Sequence, residues 1–488
     1  MSAPATYSSQ ELDRSFVRSV AWGAAGDWIT QIFAWASFLV VTRLLAPSDF
    51  GIVALVASFQ PYLAYLAGFG IPRAVVALRD LSEDDLAQLN TVATIFGFIG
   101  FGLAALLAKP FAIFFHAPKL VPLAIVSCSA LILNGIQSVS GALLGKALRF
   151  RFTSVMGAAI ALLAAFNTLL FAWLGFHYWA LVLGNLSATL VRTVVIVRTR
   201  PQSYAWPRWS SLRKPLMFGF HCFITLVALN SYQNLDDLMA GKMLGQTALG
   251  FYGLAWTLAN VPLEKITSMV TTVIPSYFSV VQHDLPAVRR YVRGITANIA
   301  LLTFPACVGL GLVAPEFIRV VMGKKWEAAI GPLQVLSIYA AFRSIFALLP
   351  KVLTAIGNPR FVMWVEIASL IALGSGFYVG SRWGINGIAW TWVLVYPWVA
   401  IPLVKKTFST IGMTLSEYVG GLRPALDSTI AMVLTVELVR FALSGTTNQI
   451  LRFVALVLSG ALSYTATLLL IHRERAFGLL RFLKKVRS

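Results

Sequence analysis

The sequence predicts an all-α, polytopic membrane protein with about 14 transmembrane helices, and three observations predict it. Of the 488 residues, 58% are hydrophobic and 12% charged, against roughly 45–50% apolar and about 25% charged in soluble domains. A hydrocarbon core of about 30 Å needs about 20 mostly apolar residues per helix, and runs of that length recur along the chain. Stretches in the first half also reappear in the second, at lags of 199 and 209 residues.

In order, the runs lie at 17–41, 50–70, 91–108, 121–144, 153–174, 178–197, 215–240, 249–273, 295–321, 330–356, 361–380, 385–404, 422–442 and 450–471. The N-terminus, every second connection and the C-terminus hold 26 of the 39 Lys and Arg, and the remaining connections hold 10. The positive-inside rule therefore expects both termini in the cytoplasm, with the tail "HRERAFGLLRFLKKVRS" on anionic headgroups. Topology accounts for most of the formal charge of +20, so no nucleic-acid partner is read from it. Cys128, Cys222 and Cys307 are dispersed in apolar runs and read as packing residues, and no metal or cofactor is expected. The opening "MSAPATYSSQELDRSF" is polar and acid-bearing, so no cleaved signal peptide is expected.

The stretch "VVTRLLAPSDFGIVALVA" repeats in "LDDLMAGKMLGQTALGFYGLA": Arg43, Leu45, Gly51 and Leu55 match Lys242, Leu244, Gly250 and Leu254 at a lag of 199. Further on, Arg151, Phe152, Gly175 and Ala180 match Arg360, Phe361, Gly384 and Ala389 at a lag of 209. Six spans per unit therefore repeat, giving expected lobes at 1–205 and 206–406, with 407–488 adding two helices and a basic tail. An even number of spans per repeat preserves orientation, so the halves are expected to share an axis along the membrane normal and a site between them.

At these residues the chain resembles the lipid-linked oligosaccharide flippases of bacterial surface-polysaccharide export, within the multidrug, oligosaccharidyl-lipid and polysaccharide exporter superfamily. "RLLAPSDFGIVAL" is similar to the family's opening motif, "ALLGKALRFRF" to its basic loop, and "LDDLMAGKMLGQTALGFYGLA" to its second-half opening. The resemblance implies a V-shaped, two-lobed, non-enzymatic transporter of the bacterial inner membrane. It would turn an undecaprenyl-diphosphate-linked glycan between leaflets by alternating access, with proton or sodium as coupling ion. The polysaccharide polymerase and chain-length machinery are the implied protein partners, alongside membrane lipids.

The polar residues within the runs supply the candidate site. Residues three, four and seven apart share a helix face. Asn230, Gln233, Asn234 and Asp237 obey that spacing in the seventh run, Asp27, Thr30 and Gln31 in the first, and Asn260, Glu264, Thr267, Ser268 and Thr271 in the eighth. A charge at depth costs at least about 2.5–3.5 kcal/mol unless it meets water or a partner, which points to a wet cavity. Arg343, Arg192 and Lys265 are the deep cations, suited with Asn260, Asn230 and Gln233 to contact a diphosphate-linked substrate. The plainer alternative is that Arg343 pairs with a carboxylate such as Glu366, or that these cations snorkel. Glu264, Asp237, Asp27 and Asp236 are the ion-coupling candidates, with Asp236 and Asp237 expected near the outer end of the seventh helix. For these two, capping of the "GKMLGQTALG" turn is the alternative. Pro61, Pro262 and Pro350 are expected to break or kink their spans, and Trp206, Trp209 and Tyr178 read as interfacial belt residues.

Two other functions compete: a multidrug or cation antiporter of the same superfamily, which would rely on acidic linings, and a membrane polymerase or glycosyltransferase. The enzyme would normally carry a large outer loop with paired carboxylates or a metal cluster. All loops here are short, and His116, His177, His221, His283 and His472 are scattered.

Overall fold

The computed structural model describes residues 30–78, 81–147, 150–271, 284–445 and 448–475, and Asp27 lies outside them. The described residues are helical with no strand among them. They divide into two compact units, one ending at Asn234 and the other beginning at Leu235.

The first unit holds α1 (Thr30–Leu44), α2 (Pro47–Gly68), α3 (Ile71–Ala77), α4 (Glu83–Phe114), α5 (Leu120–Cys128), α6 (Ala130–Lys146), α7 (Phe150–Trp173), α8 (Tyr178–Thr199) and α9 (Trp209–Gln233). Its quoted motifs serve local structure. In "LAPSDFG", Pro47 sits in the first turn of α2, where its missing N–H costs nothing, and the Asp49 carboxylate accepts from the Ala46 amide at 3.0 Å. At α4 the Ser82 hydroxyl and the Asp85 carboxylate cap reciprocally, at 3.1 and 3.0 Å. The Lys146 Nζ of "ALLGKALRF" donates to the carbonyls of Val75 at 3.0 Å and Leu78 at 2.7 Å, closing the C-terminus of α3. The link before α9 is tied to α4: Thr91 donates to Ala205 O at 2.8 Å, and the Arg208 amide donates to the Gln88 side chain at 2.8 Å. By these contacts α9, which the repeat division assigns to the second half, packs with α2, α3 and α4.

Membrane helices approach closely where residues are small. α4 and α6 cross at Gly97 and Gly135, where a Cβ on Gly135 would lie 2.6 Å from the Ala93 carbonyl.

The second unit holds α10 (Leu235–Leu244), α11 (Gln246–Thr271), α12 (Leu285–Leu312), α13 (Ile330–Phe346), α14 (Leu349–Ala355), α15 (Pro359–Gly380), α16 (Gly384–Ile411), α17 (Leu415–Ala442) and α18 (Gln449–Ile471). α17 and α18 pack on α12 through Phe304, Cys307, Leu422, Met432 and Leu456. Polar ties fix them further. Tyr464 Oη donates to Leu301 O and Tyr418 Oη to Ile345 O, both at 2.7 Å, and Glu316 lies 3.5 Å from Arg440 and 3.3 Å from Arg452.

The repeat reappears in the elements. α2 and α11 start 199 residues apart, and α7 and α15 start 209 apart. Gly175 and Gly384, matched at the second lag, both carry left-handed backbone, with φ of 81° and 70°; α8 and α16 follow these turns.

Two expectations need correction. The seventh run is not one helix: α9 ends at Gln233 and α10 begins at Leu235, and this new start places Asp236 and Asp237 in a first turn, where backbone amides lack intrahelical partners and favour acidic side chains. The tenth run is divided at Pro350, as expected, and the proline stands in the first turn of α14. Pro61 and Pro262, by contrast, lie inside unbroken helices and interrupt neither. Among the described residues nine segments are long and apolar enough to cross a membrane, so the count of 14 is not established by length and composition.

Gly135→Val should destabilise the protein by about 1–3 kcal/mol through overpacking, whereas Gly141→Ala, whose Cβ would meet Ile196 at an ordinary 3.8 Å, should be tolerated; thermal unfolding in detergent checks both. In the first turn of α17, the hydrogen bond from Arg289 holds the Glu417 carboxyl below the usual carboxylate range, aided by the Arg289 and Arg293 charges. Its stabilising contribution is complete above the ordinary glutamate pKa of about 4.3 and is lost as pH falls through the lower folded-state value. The gap in melting temperature between the wild type and Glu417→Gln should therefore be open at pH 7 and close on acidification.

Candidate functional site

The second unit contains a buried polar and aromatic cluster built from α10, α11, α13, α15 and α16. Asp236, in the first turn of α10, is 1% exposed. Its Oδ2 accepts from Tyr252 Oη at 2.6 Å and from Trp392 Nε1 at 3.1 Å, and the same indole N–H lies 3.0 Å from Tyr252 Oη. The amides of Asp236 and Asp237 also act on this carboxyl, but Oδ1 is buried without a well-formed hydrogen bond.

Aromatic rings enclose the group. Trp256 lies 5.3 Å from Trp392 and stacks on Tyr339 at 6.0 Å; Tyr339 and Phe377 lie 4.7 and 5.1 Å from Trp392. Offset and tilted ring pairs at these separations are favourable beyond the area they bury. A carboxylate in such surroundings requires donors, and Tyr252 and Trp392 supply two of them.

One helical turn further along α11, Asn260 is buried and its Oδ1 accepts from Arg343 Nη1 of α13 at 3.2 Å. Glu366 of α15 and Tyr396 of α16 stand within electrostatic reach of the Arg343 charge. Arg343 is half-buried. The Asn260 amide thus holds one guanidinium N–H of Arg343 and orients a planar group of a geometry that suits phosphate oxygens.

The other expected residues are distributed. Glu264 and Lys265 are exposed on α11, two and three positions beyond Pro262. Asp237 is half-buried, its side chain about 100° around α10 from Asp236. Arg192 belongs to the first unit and is exposed on α8. Asn230 and Gln233 fall on α9, with side chains outside the described set, as is Asp27. The structure therefore brings together Asn260 and Arg343, and sets Asp236 in the same unit beside aromatic partners. The Asp236 carboxylate is turned into the unit's interior, which removes it from capping the "GKMLGQTALG" turn.

Tyr252, Trp392 and Tyr339 were not among the expected site residues. Trp206 and Trp209 are 88% and 68% exposed, as interfacial residues should be, but Trp392 and Tyr252 are fully buried. The available signal was the helical spacing of Tyr252 with Trp256 and of Trp392 with Tyr396, four residues apart in each case. Nothing in that spacing shows that the two pairs meet.

The chain is 23% identical to the succinoglycan biosynthesis transport protein ExoT of Rhizobium meliloti, over 94% of each chain. It is 25% identical to the lipopolysaccharide biosynthesis protein WzxC of Escherichia coli, over 67% of this chain and 68% of that one. An uncharacterized membrane protein in the cps region of Klebsiella pneumoniae is 23% identical over 76% of this chain and 78% of its own. The fold is shared with the lipid II flippase MurJ in its inward closed conformation, at a TM-score of 0.72 and 14% identity, covering 93% of this chain and all of that one. It is shared also with an inward-facing multidrug resistance MATE family transporter of the MOP superfamily, at a TM-score of 0.63 and 14% identity, over 78% of this chain and 94% of that one. The sequence profile of the polysaccharide biosynthesis protein family matches residues 40–331, more than half of the chain, and the chain belongs to that family.

Proposed function

We propose that this protein is a transporter, not an enzyme, that moves a lipid-linked oligosaccharide across the bacterial inner membrane for surface-polysaccharide export. The observation that carries this reading is the family match over residues 40–331, joined to similarity along nearly the whole chain with a succinoglycan biosynthesis transport protein. The geometry adds a chemical reason. Arg343, on an apolar helix and oriented by Asn260, offers a charge-assisted fork of the kind that holds diphosphate oxygens.

In the same reading the carrier is undecaprenyl diphosphate, the repeat halves are two lobes that alternate access, and both termini are cytoplasmic. Arg192 and Lys265 are secondary contacts for the anion, with Asn230 and Gln233 on the same route. Proton or sodium drives the cycle. Asp236 is the leading coupling carboxylate: a buried carboxylate with one oxygen left without a well-formed bond is suited to take a cation or a proton. Glu264, Asp237 and Asp27 stand behind it, and a polysaccharide polymerase with its chain-length machinery would receive the product.

Disruption of the gene should leave lipid-linked repeat units on the cytoplasmic leaflet, and drug hypersensitivity alone would instead favour an antiporter. A charge-assisted hydrogen bond is worth about 1.5–3 kcal/mol, so Arg343→Ala should lower export of a fluorescent lipid-diphosphate oligosaccharide in reconstituted vesicles by about tenfold or more. Arg343→Lys should recover only part of it. Unchanged transport in Arg343→Ala would remove the phosphate contact. In the same vesicles, Asp236→Asn should abolish the response to an imposed proton or sodium gradient, whereas a full response in Asp236→Asn and its loss in Glu264→Gln would move the coupling role to Glu264.

A further inference from the structure

A second charged feature lies at the opposite end of the second unit's helices from the turn that joins α10 to α11. A cavity of about 830 Å³ opens where α12 and α17 begin and α16 and α18 end, and it is lined by Arg289, Arg290, Arg293, Arg475 and a single carboxylate, Glu417. Four guanidinium groups therefore face one acid.

Their pairing is unequal. Arg289 is fixed by Glu417 and by donating to Gly412 O at 2.6 Å, and Arg293 lies 3.6 Å from the same Glu417. One carboxylate thus serves two arginines. Arg290 packs at 6.0 Å over the Tyr291 ring, and neither it nor Arg475 has an ion-pair partner among the described residues. Arg475 is held near the cavity because His472 lies 3.1 Å from Asp427, which fixes the end of α18 against α17. The two helix starts at this end are already capped by Asp284 and Thr414, so the arginines rather than free amides carry the positive charge.

The flank of the cavity is apolar. Leu285, Leu415 and Val419 are 39%, 63% and 44% exposed; Leu285 begins α12, Leu415 begins α17, and Val419 lies one turn further along α17, while α12, α16 and α18 around them lie in segments long and apolar enough to cross a membrane. A basic recess at headgroup depth with exposed leucines beside it matches a ligand carrying a phosphate and acyl chains together. A free phosphate would use only the recess. We propose that this cavity binds the headgroup of an anionic phospholipid from the adjoining leaflet, its phosphodiester between Arg290, Arg475 and the Arg289–Arg293 pair, and its chains along Leu285, Leu415 and Val419. The site is remote from the Asp236 cluster, and its test needs no transport assay.

The experiment uses the full chain purified in neutral detergent, with phosphatidylglycerol, phosphatidylcholine and inorganic phosphate as probes. Phosphatidylglycerol should be retained on the intact protein in native mass spectrometry and raise its melting temperature, with release by added salt. Phosphatidylcholine and inorganic phosphate should do neither. Arg290→Gln combined with Arg475→Gln should reduce retention about tenfold, while Arg382→Gln, at the turn between α15 and α16, should leave it intact. Equal retention by the double variant, or an equal shift with inorganic phosphate, overturns the proposal. Should the double variant fail to fold, the wild type decides: a melting temperature indifferent to phosphatidylglycerol is also a refutation.

Discussion

A carboxylate in an apolar interior must be supplied with donors, and much of the second unit is arranged around that requirement at Asp236. Its partners come from α11 and α16, so three helices separated by up to 156 residues are bound to one oxygen. The aromatic rings around it exclude water and hold the indole and phenol in place. The break between α9 and α10 belongs to the same constraint: a continuous helix would put Asp236 mid-span with all its amides engaged, whereas a new start places it where backbone N–H groups are free. The packing of three helices thus depends on one short segment.

The parts of the fold set by local composition were legible in the sequence. Apolar run length located the helices, since each bilayer-length run meets at least one helix, and the two lags anticipated the matching starts of α2 with α11 and α7 with α15. Interruptions within a run were harder. Pro350 marks a new helix start while Pro61 and Pro262 are accommodated inside helices, because the effect of proline depends on whether neighbouring groups satisfy the freed carbonyl. Residue type alone does not reveal that.

The candidate site was legible only in part, for the same reason. Asn260 and Arg343 were each conspicuous as polar groups on apolar helices, and they meet. Asp236 and Asp237 looked equivalent as neighbours in sequence, yet their directions on α10 give them different surroundings: one is sealed among rings, the other half-buried. The aromatic cluster was invisible because tryptophan and tyrosine are as apt to mark an interface as a core, and the contact of Tyr252 with Trp392 spans 140 residues. Lys146 is a further case: the basic loop was conspicuous as a motif, but only the structure shows that its lysine serves the carbonyls at the end of α3.

The paired glycines at 175 and 384 carry a consequence for how the chain is built. Each introduces a sharp reversal of only a few residues between two long apolar helices, so α7 with α8 and α15 with α16 close at little entropic expense. Such hairpins can leave the translocation channel already paired, burying their polar backbone and small-residue faces against one another before distant helices exist. Replacing either glycine would therefore be felt twice, as strain at a positive φ in the finished turn and as slower pairing of the hairpin during biogenesis.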